Sequence, residues 1–187
     1  MRLPPPEEGS LDAEQQAYRE AVTEGRKGMF DDIWRRGPFG VWQHAPAIGQ
    51  AALPVGTAVR QASISPQVRE IGILAAGVHF KAKFEFAAHK AIAVAAGLDP
   101  EAVDRMGRGE APGFEGENDL ALRVATTLLE TTRLPDELYT EAVDVFGEQG
   151  LVELVASVGY YCMVSLTLNA FQVPLAEGMD DPWPDLP

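Results

Sequence analysis

Apolar positions recur with a helical period along almost the whole chain. From Leu11 to about Arg26 the sequence is polar and rich in Ala, Glu and Gln, which predicts an exposed first helix. Residues 37–46 (GPFGVWQHAP) carry two prolines and two glycines and predict a loop, followed by a helix from about Ala47 to Arg60. Ser65-Pro66 is a start signal: serine caps free N–H groups and proline suits the first helical position. The next stretch, Val68 to Val78 (VREIGILAAGV), is apolar on most faces and predicts a buried helix. A break near residues 77–81 separates it from a helix over Ala82–Ala96, stopped at Gly97. Asp99-Pro100 opens another helix ending at Gly107, and the four glycines and one proline of residues 107–116 predict a flexible loop. Helices are expected over Asn118–Thr132, Pro135–Phe146 and Leu151–Phe171, the last ended before Pro174. No two alternating runs are joined by Asn-Gly or Asp-Gly, so strand signals are weak. The pattern predicts an all-α, single-domain bundle of about eight helices, with the 66–78 and 82–96 helices as its central hairpin.

The length, 187 residues, suits one domain, taken to run from Leu11 to Glu177. Residues 1–10 are expected as a flexible tail and 178–187 as a proline-rich one, since Asp180–Pro187 (DDPWPDLP) holds three prolines in eight residues. Acidic residues outnumber basic ones, 28 to 15, for a net charge of −13, which argues against nucleic acid or an anionic membrane as a partner. Cys162 is the only cysteine, so no intramolecular disulfide and no CxxC pair exist. The first ten residues hold no apolar signal core and no run of eighteen apolar residues occurs, so a cytoplasmic protein is expected.

Few residues offer chemistry. His44 lies in the aromatic loop and reads as structural or exposed; His79 lies at a helix end, where a cation suits the dipole. His89 follows Glu85 by four residues, placing both on one helix face among Phe84, Phe86, Ala87, Ala88 and Ile92. A carboxylate bound to imidazole fixes its tautomer and raises its basicity, which suits a general acid/base; the alternative is an ordinary helix contact. Glu70 lies in the largely apolar helix, where an unpaired carboxylate is costly; either Arg69 neutralises it or, with the two helices antiparallel, it reaches His89. No metal is expected, because the spacing of these residues is not an established zinc pattern. Tyr160 and Tyr161 read as core residues or as donors to a substrate carboxylate. Arg36 and Arg69 are the candidate substrate-binding cations. Cys162, among apolar neighbours, is expected to be unreactive.

Arg69-Glu70, then Glu85-Phe86-Ala87-Ala88-His89, then Gly97, and late in the chain LVELVASVGYY and LNAFQVPL together resemble the carboxymuconolactone decarboxylase family. The superfamily also contains the alkylhydroperoxidase-D-like proteins, and the resemblance runs from Pro38 to Leu175. Its redox branch has a Glu, a CxxC beginning twelve residues later, and a His four residues after the second Cys. Counted from Glu70, the two thiol positions are Ala82 and Glu85, and His89 matches the His. Both thiols are missing, so thiol peroxidase chemistry is not expected. The resemblance implies a cofactor-free lyase of aromatic-compound catabolism, which decarboxylates a small unsaturated lactone or related cyclic carboxylic acid. Its catalytic residues are then His89, Glu85 and Glu70, with no cofactor and no metal. It also implies a homo-oligomer, a trimer or hexamer, whose partner molecule is the small carboxylic acid or lactone. The alternative is a non-catalytic or regulatory small-molecule-binding oligomer of the same fold.

Overall fold

The central helix begins where a cap and a proline meet. In a computed structural model of the chain, which describes residues 1–28 and 31–186, Ser65 Oγ accepts the Val68 N–H at 3.2 Å and Pro66 occupies the first turn. Met29, Phe30 and Pro187 lie outside the described residues. The helix that follows is the fourth of eight: α1 (Ala13–Glu24), α2 (Gly37–Trp42), α3 (Pro46–Arg60), α4 (Pro66–His79), α5 (Lys83–Ala95), α6 (Pro100–Arg108), α7 (Gly116–Thr131) and α8 (Asp136–Ala170). No strand occurs among the described residues, and the protein is an all-α single-domain helical bundle.

α4 is the hub. Val68 and every residue from Glu70 to Gly77 are buried, and the helix packs against α5, α7 and α8. Close approach sets the spacing. A Cβ on Gly72 would lie 2.9 Å from Leu154 Cδ1, and one on Gly77 would lie 3.5 Å from the Phe86 backbone. The α4–α5 hairpin turns through Lys81, whose backbone is left-handed (φ +50°) without being glycine.

Residues 37–46 depart from the loop expected there, since 37–42 form α2. Pro38 is tolerated in a first turn, and Gly37, Pro38, Gly40, Val41 and Trp42 are all buried, so burial overrides poor helix propensity. Only glycine fits at position 40, where a Cβ would meet Arg35 O at 2.5 Å. α6 runs one residue past Gly107 and is closed by left-handed Gly109 (φ +76°). Gly107 itself packs under Phe86, with a Cβ position 2.7 Å from the ring. The two helices expected over 135–171 run together as α8 across Gly147, whose φ of 70° and ψ of 168° kink the axis.

Two apolar clusters share α4 and α8. One joins α4 to α5, α6, α7 and the first part of α8 through Ile71, Leu74, Phe86, Val103, Val124 and Leu154. The other gathers Tyr18, Val22, Trp34, Trp42, Leu53, Ile73, Tyr160 and Tyr161. α8 is the one described helix long and apolar enough to cross a membrane by length and composition; half of that apolar window is buried against the other helices.

Both ends are tied to the body. Arg2 N–H donates to Phe171 O at 2.8 Å, and Pro4 O lies 2.8 Å from His44 Nε2. At the other end Trp183 Nε1 donates to Gly107 O at 2.8 Å, with its ring 5.2 Å from that of Phe86.

The second cluster depends on small residues in α3 facing tyrosines. A Cβ on Gly56 would lie 2.5 Å from Tyr160 Oη and 2.9 Å from Cζ, an overlap the rigid ring cannot evade. Gly56→Ala should therefore cost about 1–3 kcal/mol, read as a lower midpoint in urea unfolding. An unchanged midpoint would show that the α3–α8 contact is loose.

Candidate active site

The sequence pattern places Glu85 and His89 one turn apart on α5, and the hairpin brings α4 alongside. His89 Nδ1 lies 2.6 Å from Glu70 Oε2, and Nε2 lies 3.1 Å from Glu85 Oε1. The antiparallel approach of Glu70 to His89 is thus present, and so is the Arg69 contact: Arg69 Nε donates to Glu70 Oε1 at 3.2 Å. Arg69 also donates to Arg60 O at 3.1 Å, anchoring the cluster to the end of α3. The three candidate site residues therefore sit together in one buried group, with side-chain exposures of 3% for Glu70, 5% for Glu85 and 14% for His89.

Electrostatics fix the state of the imidazole. Burial alone lowers the pKa of His89; against it stand the charge of Glu85, the hydrogen bond with Glu70, the close approach of Glu85 and the charge of Glu70. The balance lifts it from the ordinary 6.5 to about 10, so His89 is an imidazolium at neutral pH. The two contacts differ in quality. Nδ1–H is directed at Glu70, whereas Nε2–H is not aimed at Glu85 Oε1, which is buried without a hydrogen-bond partner. Glu85 holds the ring by charge alone. Arg69, His89, Glu70 and Glu85 cancel in formal charge, which is how four ionised groups are tolerated in one interior.

Both ring nitrogens are engaged by carboxylates, so this histidine offers no lone pair to a metal. Among the described residues no group of three His, Cys, Asp or Glu side chains is placed to hold a metal ion.

On its open side the imidazole meets Tyr161 edge to face, with ring centroids 4.8 Å apart, and Tyr161 meets Tyr160 in the same manner at 5.2 Å. Tyr18, Tyr160 and Tyr161 are all buried, and the Tyr18 hydroxyl is shut off from solvent without a hydrogen-bond partner. Burial raises the pKa of each; nearby carboxylates raise that of Tyr161 further, so the phenols remain neutral donors.

The sequence reading named Arg36 and Arg69 as candidate cations, and both are engaged: Arg36 Nε binds Asp32 Oδ1 at 2.7 Å, and Arg69 holds Glu70. Two unconsidered arginines lie nearer the phenols. Arg26, half-buried with its guanidinium 4.2 Å from the Phe39 ring centre, has no carboxylate partner among the described residues. Burial and then the charge of Arg60 lower its pKa, while Tyr18, Tyr160 and Tyr161 act electrostatically in the other direction. Nothing in the local sequence of Arg26 marks it; only the packing of α1 on α3 does. His44 ties the N-terminal segment, and His79 closes α4 with its ring 4.8 Å from Phe80. Cys162 is half-buried and burial raises its pKa, which leaves it a thiol.

Neither of two hollows on the described surface is lined by Glu70, Glu85 or His89. One, of about 520 Å³, lies along the acidic start of α8, and the other, of about 600 Å³, lies beside Lys81 and Lys83. No protein-family model matches the chain, and no curated protein is significantly similar to it.

The imidazolium also makes stability depend on pH. Its folded pKa of about 10 exceeds the unfolded value, so its stabilisation is complete below about pH 6.5 and is lost as pH rises through 10. The melting temperature should fall between pH 7 and 10, and His89→Gln should remove much of that slope. Parallel pH profiles for the two proteins would show that His89 carries no extra proton in the native state.

Proposed function

We propose that the protein is a carboxy-lyase of the carboxymuconolactone decarboxylase type. It removes CO2 without a cofactor from a small unsaturated lactone or related cyclic carboxylic acid of aromatic-compound breakdown. The observation that carries this reading is the buried imidazolium of His89 between Glu70 and Glu85, with the ring of Tyr161 against it.

The chemistry follows from charge. As the C–C bond to the carboxylate breaks, its electron pair flows into the conjugated lactone and CO2 departs, leaving a dienolate. An imidazolium beside the forming anion stabilises it more than it stabilises the substrate, which is what lowers a barrier. A pKa near 10 makes His89 a good electrostatic partner and a reluctant acid. The misaligned Nε2–H resolves this. A substrate carbon placed on that N–H becomes strongly basic as CO2 departs and can take the proton from His89, which then recovers one from water. Glu70 keeps the ring in place throughout. Arg26 holds the anionic end of the substrate, away from the carboxylate that must become neutral CO2.

The same reading includes a homo-oligomer, a trimer or hexamer. The outer face of α8 carries Val152 (68% exposed), Val155, Met163 and Leu166 (53% exposed), an apolar stripe on one side of the helix. Sedimentation at micromolar concentration should give a multiple of the 20.2 kDa chain mass. A monomer would end this part of the reading.

The second reading, a non-catalytic small-molecule-binding protein, is favoured by the mutual neutralisation of the four charged groups, which need no ligand. The test is CO2 release from muconolactone-type carboxylic acids. His89→Gln, with helical content checked by circular dichroism, should lose roughly 10²–10⁴ in rate, the usual worth of a positioned proton-transfer group. Arg26→Met should raise KM about tenfold with kcat nearly unchanged, as expected for loss of uniform binding. A lower melting temperature with unaltered CO2 release per folded His89→Gln molecule would decide for the second reading.

A further inference from the structure

The hollow of about 600 Å³ is built from the α4–α5 turn, the end of α8 and the last residues of the chain: Lys81, Lys83, Phe84, Leu168, Asn169, Gln172, Val173 and Leu186. Its floor is apolar (Phe84, Leu168, Val173) and its rim is polar and basic. Three observations point to a ligand there.

First, Lys83, which lines the hollow, already holds a carboxylate. Lys83 Nζ donates to Asp181 Oδ2 at 3.0 Å and to Leu186 O at 2.5 Å. The segment that supplies them is held by Trp183, whose ring lies 4.8 Å from Lys81 Nζ. Second, its walls are fixed by helix caps: α4 and α8 both end against it in left-handed residues, Lys81 and Gln172 (each φ +50°), closed by bonds from Ala82 N–H to Gly77 O at 2.9 Å and from Val173 N–H to Leu168 O at 3.0 Å. Third, charge is complementary: the terminal segment that reaches Lys83 through Asp181 is acidic, carrying Asp180 and Asp185 as well.

We propose that this hollow is a second binding site, for a small organic carboxylate with an apolar body, and that residues 180–186 are a strap whose Asp181 competes with the ligand for Lys83. The apolar part of the ligand lies on Phe84, Leu168 and Val173, and its carboxylate takes the place of Asp181 on Lys83, next to Lys81. Asn169 Nδ2 donates to Phe80 O at 2.6 Å, which fixes this lining side chain to the α4–α5 turn. The strap is thus an internal stand-in for the ligand. The site is independent of the decarboxylase reading, since none of Glu70, Glu85 and His89 lines it.

The probe is cyclohexanecarboxylate, which has the apolar body and the charge but no aromatic absorbance, titrated into the full chain by calorimetry and by tryptophan fluorescence. Saturable binding is expected, with a fluorescence change that is lost in Trp183→Phe while the heat remains. Lys83→Met should weaken binding roughly ten- to a hundredfold, the usual worth of a charge-assisted hydrogen bond. Lys81→Met should weaken it as well, so a failure of one variant to fold leaves the other as the test. Asp181→Asn should tighten it, because the competing charge is gone. Binding untouched by both lysine variants would overturn the proposal, as would equal affinity for the neutral cyclohexylmethanol or weaker binding by Asp181→Asn.

Discussion

A buried imidazolium fixed between two carboxylates is the constraint around which this protein is arranged. Placing His89 within 2.6 Å of Glu70 brings α4 and α5 close together, so that a Cβ on Gly77 would touch the Phe86 backbone at 3.5 Å. It also requires a turn tight enough to be closed in three residues, which puts Lys81 in the left-handed region. An uncompensated charge in this interior would cost several kcal/mol, so the four groups must be assembled together or not at all. The hairpin is therefore held by charge as well as by apolar packing.

Burial on the α8 side follows from the same demand. Tyr161 covers the imidazole edge to face, and Tyr160 covers Tyr161, so the polar centre is separated from bulk water by aromatic rings. Rings that large fit only because α3 presents Gly56 and Gly49, where Cβ atoms would fall 2.5 Å from Tyr160 Oη and from Tyr18 Cε2 and Cζ. Burying phenols without partners is unfavourable. The Tyr18 hydroxyl is such a group, shut off from solvent with no hydrogen-bond partner.

Local signals made much of this legible. Ser65-Pro66, Gly97 and Asp99-Pro100 mark helix ends because capping is decided by residues adjacent in sequence. The spacing of Glu85 and His89 fixes their shared face by the helical period. Glu70 could be linked to them because an apolar helix leaves a carboxylate in need of a partner. Contacts between segments distant in sequence stayed hidden. Arg26 owes its place beside the phenols to the packing of α1, and nothing around it in the chain says so. Helix α2 was obscured by the two glycines and proline that would break it in isolation, because the burial of Val41 and Trp42 is a tertiary effect. Trp183 lies among prolines in a segment without periodicity, yet finds Gly107 O and the Phe86 ring.

The charge cluster that stabilises the hairpin is also what any reaction there must disturb. If all four groups were ideally paired, the imidazolium would be inert: its pKa too high to release a proton, its N–H groups both taken. The arrangement is unequal instead. Glu70 is gripped on two sides, by His89 Nδ1 and Arg69 Nε, whereas Glu85 meets Nε2 off axis and keeps an unsatisfied oxygen. The weaker contact is the one that can be exchanged at small cost, since little hydrogen-bond energy is lost when a ligand replaces it. Exchange frees the direction of Nε2–H but leaves the charge of Glu85 beside the ring, so the imidazolium keeps its proton until a strong base meets that N–H. A single misaligned carboxylate thereby separates the groups that hold the fold from the group available for chemistry.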